Sequence, residues 1–380
     1  MAGPLTGVRV IELAGIGPGP FAAMLLADLG AEVIRVSRLG DARAAGAPRD
    51  VVLRGRRAIA VDLKSPEAKD IVCRLVGTAD ALIEGFRPGV AERLGLGPAD
   101  CHAVNPRLVY CRMTGWGQTG PLSSVAGHDI NYIALVGALD SSRRAGQRPV
   151  PPMNLLGDLG GGALFLAFGL VAALYEAKTS GLGQVVDANI VDGTASLMNF
   201  ILGLRAQGRW SEPPGHNILD TGRPYYDTYA CQDGGEIALG ALEPQFYAEL
   251  LRLVQLDDES VRFENRDDPA HWPAARQCWA ETFASRPRDE WAALLSTVDT
   301  CATPVLSIDQ AAANEHLQAR DTYVTVDGVL QAAPAPRFSR TMAEIGRPPV
   351  SAGADTDEIL TELGLDLATI ATLRERRAVG

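Results

Sequence analysis

The chain has 380 residues, of which 47% are hydrophobic and 21% are charged. This length predicts two domains, and the composition is that of a folded globular protein, which argues against disorder or a fibrous repeat. The formal net charge of -11 argues against a nucleic-acid partner or an anionic membrane surface, because both would require a basic face.

The six cysteines and the N-terminus bear on redox state and location. The cysteines are scattered without CxxC or histidine-rich spacing, so we expect no metal site and no disulfide framework. The first residues pass into an apolar run without a basic n-region, which predicts a cytoplasmic protein without a secretory signal. The uncharged run 159–175 is short for a membrane span and rich in glycine, which favours a buried helix and no membrane partner.

Strand and helix patterns alternate through the first half of the chain. Helical patterns lie between the apolar runs, as at 21–29 and after the Ser65-Pro66-Glu67 helix start. This alternation predicts an α/β fold with a Rossmann-like large domain. The short apolar runs that predict its strands are 8–13, 31–36, 58–63, 81–84, 108–113 and 184–190.

The character of the chain changes after residue 209. A loop-like stretch leads to 225–231 and 236–241, which are expected to pair as a hairpin around Asp233-Gly234-Gly235 and to begin a smaller α+β domain. Helices are predicted at 159–177, about 195–207, 244–254, 272–284, 288–295, 356–363 and 367–376, the last two packing on the first domain.

These patterns divide the chain into four parts. We assign 1–190 and 325–380 to the large domain and 225–305 to the small domain. Linkers are assigned to 191–224 and to 306–324, the second entered from Ala302-Thr303-Pro304.

The turn from Gly15 to Pro20 lies where a dinucleotide-binding glycine motif would lie. Pro18 and Pro20 lack the N–H groups that bind a pyrophosphate, the third glycine of GxGxxG is missing, and the next strand ends in Ser37-Arg38 without an acid. These features argue against a nicotinamide cofactor.

Basic residues follow several predicted strands. Arg38, Lys64 and Arg87, with Arg35 nearby, would meet at the carboxyl edge of a parallel sheet, which favours a phosphate-rich ligand. For any single arginine, a solvated strand end is the alternative.

Two residues stand out as acid/base candidates. His128 is one of five histidines and begins a predicted helix, where a backbone N–H could bind a developing oxyanion; a packing or capping histidine is the alternative. Asp158 precedes the apolar run, and its alternative is a plain N-cap. The helix dipole would lower the pKa of Asp158, which suits a base; for an acid, desolvation or the thioester must offset the dipole. Glu243 is a third candidate, a first-turn helix acid.

Long passages of the chain resemble the class III CoA-transferase (CaiB/BaiF-type) superfamily and, within it, the α-methylacyl-CoA racemase branch. The resemblance runs nearly end to end. The passages that carry it are LTGVRVIELAGIGPGPFAAMLLADLGAEVIRV from residue 5, VDLK from 61, EGFRPGVAERLGLG from 84, RMTGWGQTGP from 112, GHDINY from 127, GDLGGG from 157, GQVVDANIVDG from 183 and EPQFY from 243.

The resemblance implies an enzyme of lipid metabolism that interconverts (2R)- and (2S)-2-methylacyl-CoA thioesters by 1,1-proton transfer through an enolate. It implies that His128 and Asp158 are opposed acid/base groups and that Glu243 contacts the histidine from the smaller domain, of the same or of the partner subunit. It also implies an interlocked homodimer, with an acyl-CoA as substrate and no separate cofactor. The residues it implies for CoA contacts are Arg38, Val61, Asp62, Leu63, Lys64, Gly85, Phe86, Arg87, Arg93, Gly127, Asp129 and Tyr132.

The residue types fit this chemistry. Abstraction of the weakly acidic α-proton needs a positioned base and a donor to the enolate oxygen, for which the Asp129 N–H is a candidate. The main alternative is a CoA transferase of the same superfamily, in which Asp158 attacks the thioester and forms an anhydride. A non-catalytic CoA-binding protein is another. The sequence departs from the family pattern at Ser37 and 39–48, which bears on contacts to the adenine end.

Overall fold

The computed structural model describes residues 3–40 and 49–380, so residues 41–48, most of the stretch that departs from the family pattern, lie outside the described residues. The chain forms two compact units. The first comprises Met1–Ala138, Pro152–Asn199 and Ala319–Gly380, and the second comprises Leu139–Pro151 and Phe200–Gln318. The sequence-based division did not separate 139–151, which groups with the second unit. It treated 191–224 and 306–324 as linkers, whereas 191–199 and 319–324 group with the first unit, and 200–224 and 306–318 group with the second.

The first unit is built on a six-stranded parallel sheet with the strand order β3-β2-β1-β4-β5-β6. The order reverses between β1 and β4, and open α/β sheets bind ligands at such a point. The six predicted strands and the α/β class are confirmed. The strands are β1 (Arg9–Leu13), β2 (Glu32–Ser37), β3 (Arg56–Ala60), β4 (Ala81–Glu84), β5 (Val109–Thr114) and β6 (Val185–Asn189).

Helices cover both faces of this sheet. One core cluster contains Ile71, Ile359 and Leu373, and the other contains Leu26 and Leu170, so aliphatic strand residues are buried on both sides. The C-terminal helices pack on this unit, as predicted. Its helices are α1 (Pro18–Asp28), α2 (Ala68–Gly77), α3 (Val90–Arg93), α4 (Pro98–Val104), α5 (Asp129–Leu135), α6 (Phe165–Ser180), α7 (Ile190–Leu197), α14 (Thr356–Glu362) and α15 (Leu367–Glu375), with a short 3₁₀ turn at Val51–Leu53.

A π-helical segment, Leu155–Leu164, leads directly into α6. The helix therefore begins at Leu155, four residues before the predicted start. The expectation of a buried helix holds for one side only, since a stripe on the other side is exposed. By length and composition alone the helix Leu155–Ser180 could span a membrane, with a mean hydropathy of 1.8 and 33% of its most apolar stretch buried. The exposed stripe consists of Leu164, Phe168, Val171 and Tyr175.

The second unit contains a three-stranded antiparallel sheet, β7 (Thr228–Ala230), β8 (Glu236–Leu239) and β9 (Ala302–Val305). The predicted hairpin is confirmed. The expectation that 302–304 enters a linker was wrong, because these residues pair with β8. Aromatic side chains such as Trp279 and Phe283 form the core. The helices are α8 (Asn199–Ala206), α9 (Pro244–Val254), α10 (Trp272–Ala284), α11 (Arg288–Leu295), α12 (Ile308–Ala313) and α13 (Glu315–Ala319), with a 3₁₀ turn at Glu259–Val261.

Two further features differ from the predicted elements. The helix expected over 195–207 is two helices, α7 and α8, which meet at Met198. The first unit also contains an unpredicted hairpin, β10 (Tyr323–Val326) and β11 (Val329–Ala332).

Candidate active site

A cavity of about 720 Å³ lies in the first unit at the carboxyl ends of β1, β4 and β5. Its walls come from the turn after β1, the segment after β4 and the N-terminal end of α5, so it occupies the point where the strand order reverses. The predicted site residues that line it are Arg38, Gly85, Phe86, Arg87, Gly127, His128, Asp129, Tyr132 and Asp158.

His128 is the residue that caps α5. Its backbone N–H donates to the Asn131 Oδ1 atom at 3.0 Å, and its carbonyl oxygen accepts from the Asn131 N–H at 2.8 Å. Because His128 is exposed on the cavity wall, it is not a histidine packed into the core. The α5 helix thus fixes the backbone of His128 while its side chain faces the open cavity.

Tyr132 lies one turn of α5 after His128 and also lines the cavity. Its hydroxyl donates to the Gly127 carbonyl oxygen at 2.5 Å, and its ring meets Trp116 edge-on with a centroid separation of 4.7 Å. Burial, with the Asp158 charge as a smaller cause, raises the pKa of the Tyr132 hydroxyl, so this group remains a proton donor at neutral pH.

Asp158 lies within the first turn of the π-helical segment, and Asn154 occupies the N-cap position. The N-cap alternative for Asp158 was therefore wrong. The Asp158 N–H donates to Asp129 Oδ1 at 2.7 Å, and the Asn154 side-chain amide donates to Asp158 Oδ2 at 3.4 Å. These contacts connect the start of the π-helical segment to the first turn of α5.

The pKa of Asp158 is raised, not lowered. The helix dipole was expected to lower it unless desolvation or the thioester offset the dipole, and burial of the carboxyl group raises it above its usual value. The Asn154 hydrogen bond and the His128 charge oppose this rise, while the Asp129 charge adds to it. The half-buried carboxyl group of Asp158 therefore holds a proton more readily than an exposed aspartate.

Glycine residues make room for the Asp129–Asp158 contact. A Cβ atom on Gly157 would lie 2.2 Å from Asp129 Oδ1, and one on Gly161 would lie 2.2 Å from Thr194 Oγ1. Both distances are far below van der Waals contact, so the GDLGGG passage permits close packing of the π-helical segment against α5 and α7. No local pattern in the sequence indicates this function of the glycines.

Arg35 is not available as the phosphate ligand that the sequence suggested. It is buried and ion-paired with Glu12, its cross-strand neighbour, and the second Glu12 oxygen lies 2.7 Å from Arg56 Nε. Arg35 also donates to the Gly15 carbonyl oxygen at 3.4 Å, and Arg56 donates to that of Pro20. This buried charge network thus holds both ends of the turn that walls the cavity.

The chain matches the model of CoA-transferase family III over residues 5–356. The chain belongs to CoA-transferase family III. It is 44% identical over 378 residues to alpha-methylacyl-CoA racemase of Mus musculus and 40% identical over 382 residues to the Homo sapiens protein of that name, covering 99% of this chain and 97% of each relative. A solved CaiB/BaiF family protein of Brucella suis superposes with a TM-score of 0.83 at 25% identity, covering 96% of this chain and 100% of that one.

Several residues implied by the resemblance to CoA-transferase family III lie away from the cavity lining. Val61 is fully buried in the core and bridges to Val379, and Leu63 packs against the same core. Asp62 accepts from the Lys64 N–H at 3.0 Å. Those not brought to the cavity wall are Val61, Asp62, Leu63, Lys64 and Arg93.

Glu243 belongs to the second unit. It occupies the N-cap position of α9, immediately before Pro244, so the expected first-turn position was wrong by one residue, and it is exposed. Its contact with the histidine therefore stays a prediction from the resemblance to family III.

Proposed function

We propose that the chain interconverts the 2R and 2S epimers of 2-methylacyl-CoA thioesters. The observation that carries the proposal is that His128 and Asp158 line one cavity in a chain 44% identical to alpha-methylacyl-CoA racemase of the mouse. One group removes the α-proton and leaves an enolate, and the other delivers a proton to the opposite face. At the end of one turnover the two groups have exchanged their protonation states.

The environment of Asp158 suits this dual role. A racemase needs a carboxyl group that can donate a proton in one direction and accept one in the other, and an exposed aspartate is a poor donor at neutral pH. Burial raises the pKa of Asp158, which supports its role as the acid when His128 is the base. We assign enolate stabilisation to the Asp129 N–H.

CoA enters this proposal as part of the substrate, and we propose no other cofactor. Arg38 and Arg87 are exposed and line the cavity, so their guanidinium groups are positioned to meet phosphate oxygens. In a chain with a net charge of -11, such local cations are needed to attract an anionic ligand.

All six cysteines lie in the described part of the chain and are free thiols, which supports our proposal of a reducing, cytoplasmic location.

The experiment that tests the function is proton exchange in heavy water. One epimer of a 2-methylacyl-CoA is incubated with the protein, and α-deuterium and epimer ratio are followed. We expect both to change, and His128→Ala and Asp158→Asn to slow exchange about 10²- to 10⁴-fold, the usual contribution of a general acid or base. His316→Ala, an exposed histidine of the second unit, serves as the matched control.

The same experiment discriminates the CoA-transferase alternative. A transferase would move CoA to an added carboxylic acid through an anhydride on Asp158, with no α-proton exchange. Transfer of CoA to the added acid, with a trappable Asp158 adduct and no deuterium uptake, would overturn the racemase proposal. The exposed histidine on the cavity wall favours the racemase, since the transferase cycle needs no second acid/base group.

We further propose that the chain forms a homodimer through the exposed stripe of the helix Leu155–Ser180. Leu164, Phe168, Val171 and Tyr175 follow helical spacing and lie opposite the buried residues of the same helix. Phe168 is 74% exposed and Tyr175 is 78% exposed. A helix that is apolar on all sides is normally covered on all sides. The inner side of this helix is packed against the parallel sheet of the first unit. We therefore favour a second copy of the chain, and not a bilayer, as the partner that covers the outer side.

A further inference from the structure

The carboxyl group of Asp129 is hydrogen-bonded to the backbone N–H of Asp158. Its Oδ1 atom accepts the Asp158 N–H at 2.7 Å, and a Cβ atom on Gly157 would clash with this oxygen and with the side chain of Ile133. The contact therefore depends on a glycine before Asp158. Two aspartates from different elements are held side by side on the wall of one cavity.

The groups facing the Asp158 carboxyl come from three directions. Its own segment contributes the Asn154 amide, which donates a hydrogen bond, and α5 contributes His128, Asp129 and the Tyr132 hydroxyl. On the sides toward α1 and α7, the residues packed on the glycines of the π-helical segment are uncharged: Pro18, Ile190, Thr194 and Leu197. Farther along the cavity wall lie the cations Arg38 and Arg87 and the paired Glu12 and Arg35.

We infer that Asp129 is a positioning residue whose negative charge, held against Asp158, keeps Asp158 able to carry the proton that it donates in the cycle. The inference rests on the proposed function and adds a role for the Asp129 side chain, separate from its backbone N–H. Neighbouring carboxyl groups disfavour simultaneous ionisation, so a fixed second carboxylate favours the protonated form of the first. Burial and the Asp129 charge both act to raise the pKa of Asp158, with burial the larger cause.

The Asp129→Asn variant separates charge from geometry. Its side chain retains an oxygen that can accept the Asp158 N–H, and the backbone N–H at position 129 is unchanged. Only the negative charge is lost. The equilibrium constant between the epimers fixes the ratio of kcat/KM in the two directions, so any loss of kcat/KM must be equal in both. The informative quantity is therefore the pH dependence of kcat/KM, and not a difference between the rates for the two epimers.

We expect the acidic limb of the kcat/KM profile to move to lower pH in Asp129→Asn, because a carboxyl group that loses a neighbouring negative charge has a lower pKa. Asp129→Ser removes the same charge with a smaller side chain, and its limb must move in the same direction. The control is Asp192→Asn, since Asp192 is a first-turn acid of α7 outside the cavity lining and accepts the Asn189 amide at 2.7 Å. Its limb should stay where the wild-type limb lies.

The outcomes distinguish the two proposals. If the wild-type protein does not exchange the α-proton, the proposed function fails. If the wild-type protein exchanges it and both Asp129 variants are slower with an unmoved acidic limb, the racemase proposal stands and the charge role of Asp129 is overturned. A limb that moves to lower pH in both variants and not in the control supports the inference.

Discussion

Gly17 lies against the carboxyl group of Asp158, because a Cβ atom on Gly17 would lie 3.5 Å from Asp158 Oδ2. Gly17 has φ of 69° and ψ of −123°, a conformation that side chains other than hydrogen rarely adopt. The turn that resembles a phosphate-binding loop is therefore a close wall beside a candidate catalytic acid. The ion pairs of Glu12 with Arg35 and Arg56 fix both ends of this turn, since the two arginines also donate to the Gly15 and Pro20 carbonyl oxygens.

Gly17→Ala should reduce both stability and activity. The conformation of Gly17 imposes strain of about 1–3 kcal/mol on an alanine, and the new methyl group would contact the Asp158 carboxyl. We expect a lower thermal midpoint and slower deuterium exchange, with kcat affected more than KM, because the methyl group adjoins the reacting acid. Gly346→Ala is the control, since Gly346 has open space around it and an ordinary φ. Equal behaviour of the two variants would contradict this account.

Asp158→Asn should be more stable than the wild-type protein at neutral pH, although we expect its proton exchange to be slower. The folded-state pKa of Asp158 lies above its unfolded value of 3.8, so the folded state binds this proton more tightly than the unfolded state does. Ionisation of Asp158 therefore lowers the free energy of unfolding as the pH rises from the unfolded pKa through the higher folded pKa. Asparagine does not ionise and avoids that loss.

Urea unfolding at a series of pH values measures the effect. The stability gained by Asp158→Asn should be present near pH 7, shrink as the pH falls through the raised folded-state pKa, and be absent below the unfolded pKa of 3.8. Asp192→Asn, with an exposed acid, provides the comparison. A gain that does not depend on pH would show that burial of the charge is not its cause.

The parallel sheet was predictable because aliphatic and β-branched runs of strand length alternate with helical patterns. The start of the π-helical segment was not, since Gly157 and Gly160–Gly162 interrupt the helical pattern and their packing partners on α5 and α7 are distant in sequence. Pro304 made β9 resemble a linker. A proline is tolerated there because β9 is an edge strand of its sheet.

The candidate site was only partly visible in the sequence. His128 could be found from the scarcity of histidines and its place before a helix, but the role of Asp158 came from the family resemblance. The burial that raises the pKa of Asp158 depends on tertiary packing, which no local pattern encodes. The Glu12–Arg35 pair likewise becomes apparent only when β1 and β2 are in register.

Arg266 should be a stabilising residue of the second unit. It is buried with its guanidinium 4.1 Å from the ring centroid of Phe263 and 4.4 Å from that of Tyr225, and it donates to the carbonyl oxygens of Ala241 and Leu242. We expect Arg266→Ala to lower the free energy of unfolding by about 2–4 kcal/mol, through the loss of two charged hydrogen bonds and the cation–π contacts.

The two carbonyl groups belong to Ala241 and Leu242, the residues immediately before Glu243, so Arg266 also fixes the chain at the start of α9. Arg223→Ala is the matched control, since Arg223 lies 4.3 Å from the Trp272 ring centroid in the same unit and donates to His216 instead. A loss of stability no larger than that of Arg223→Ala would refute the assignment.

Phe168→Glu should convert the proposed dimer into monomers. The exposed stripe of the helix Leu155–Ser180 places Phe168 between Leu164 and Val171, so a carboxylate there would be buried without a partner in an interface formed by this stripe. Light scattering after size exclusion measures the mass directly, and Ile308→Glu supplies the control, since Ile308 is equally exposed (73%) but lies on α12 of the second unit. A different result would assign the stripe to a membrane surface. In that case the wild-type protein would be monomeric and would sediment with phospholipid vesicles, and the Phe168→Glu variant would not sediment with them. A dimer that survives Phe168→Glu would place the interface elsewhere on the chain.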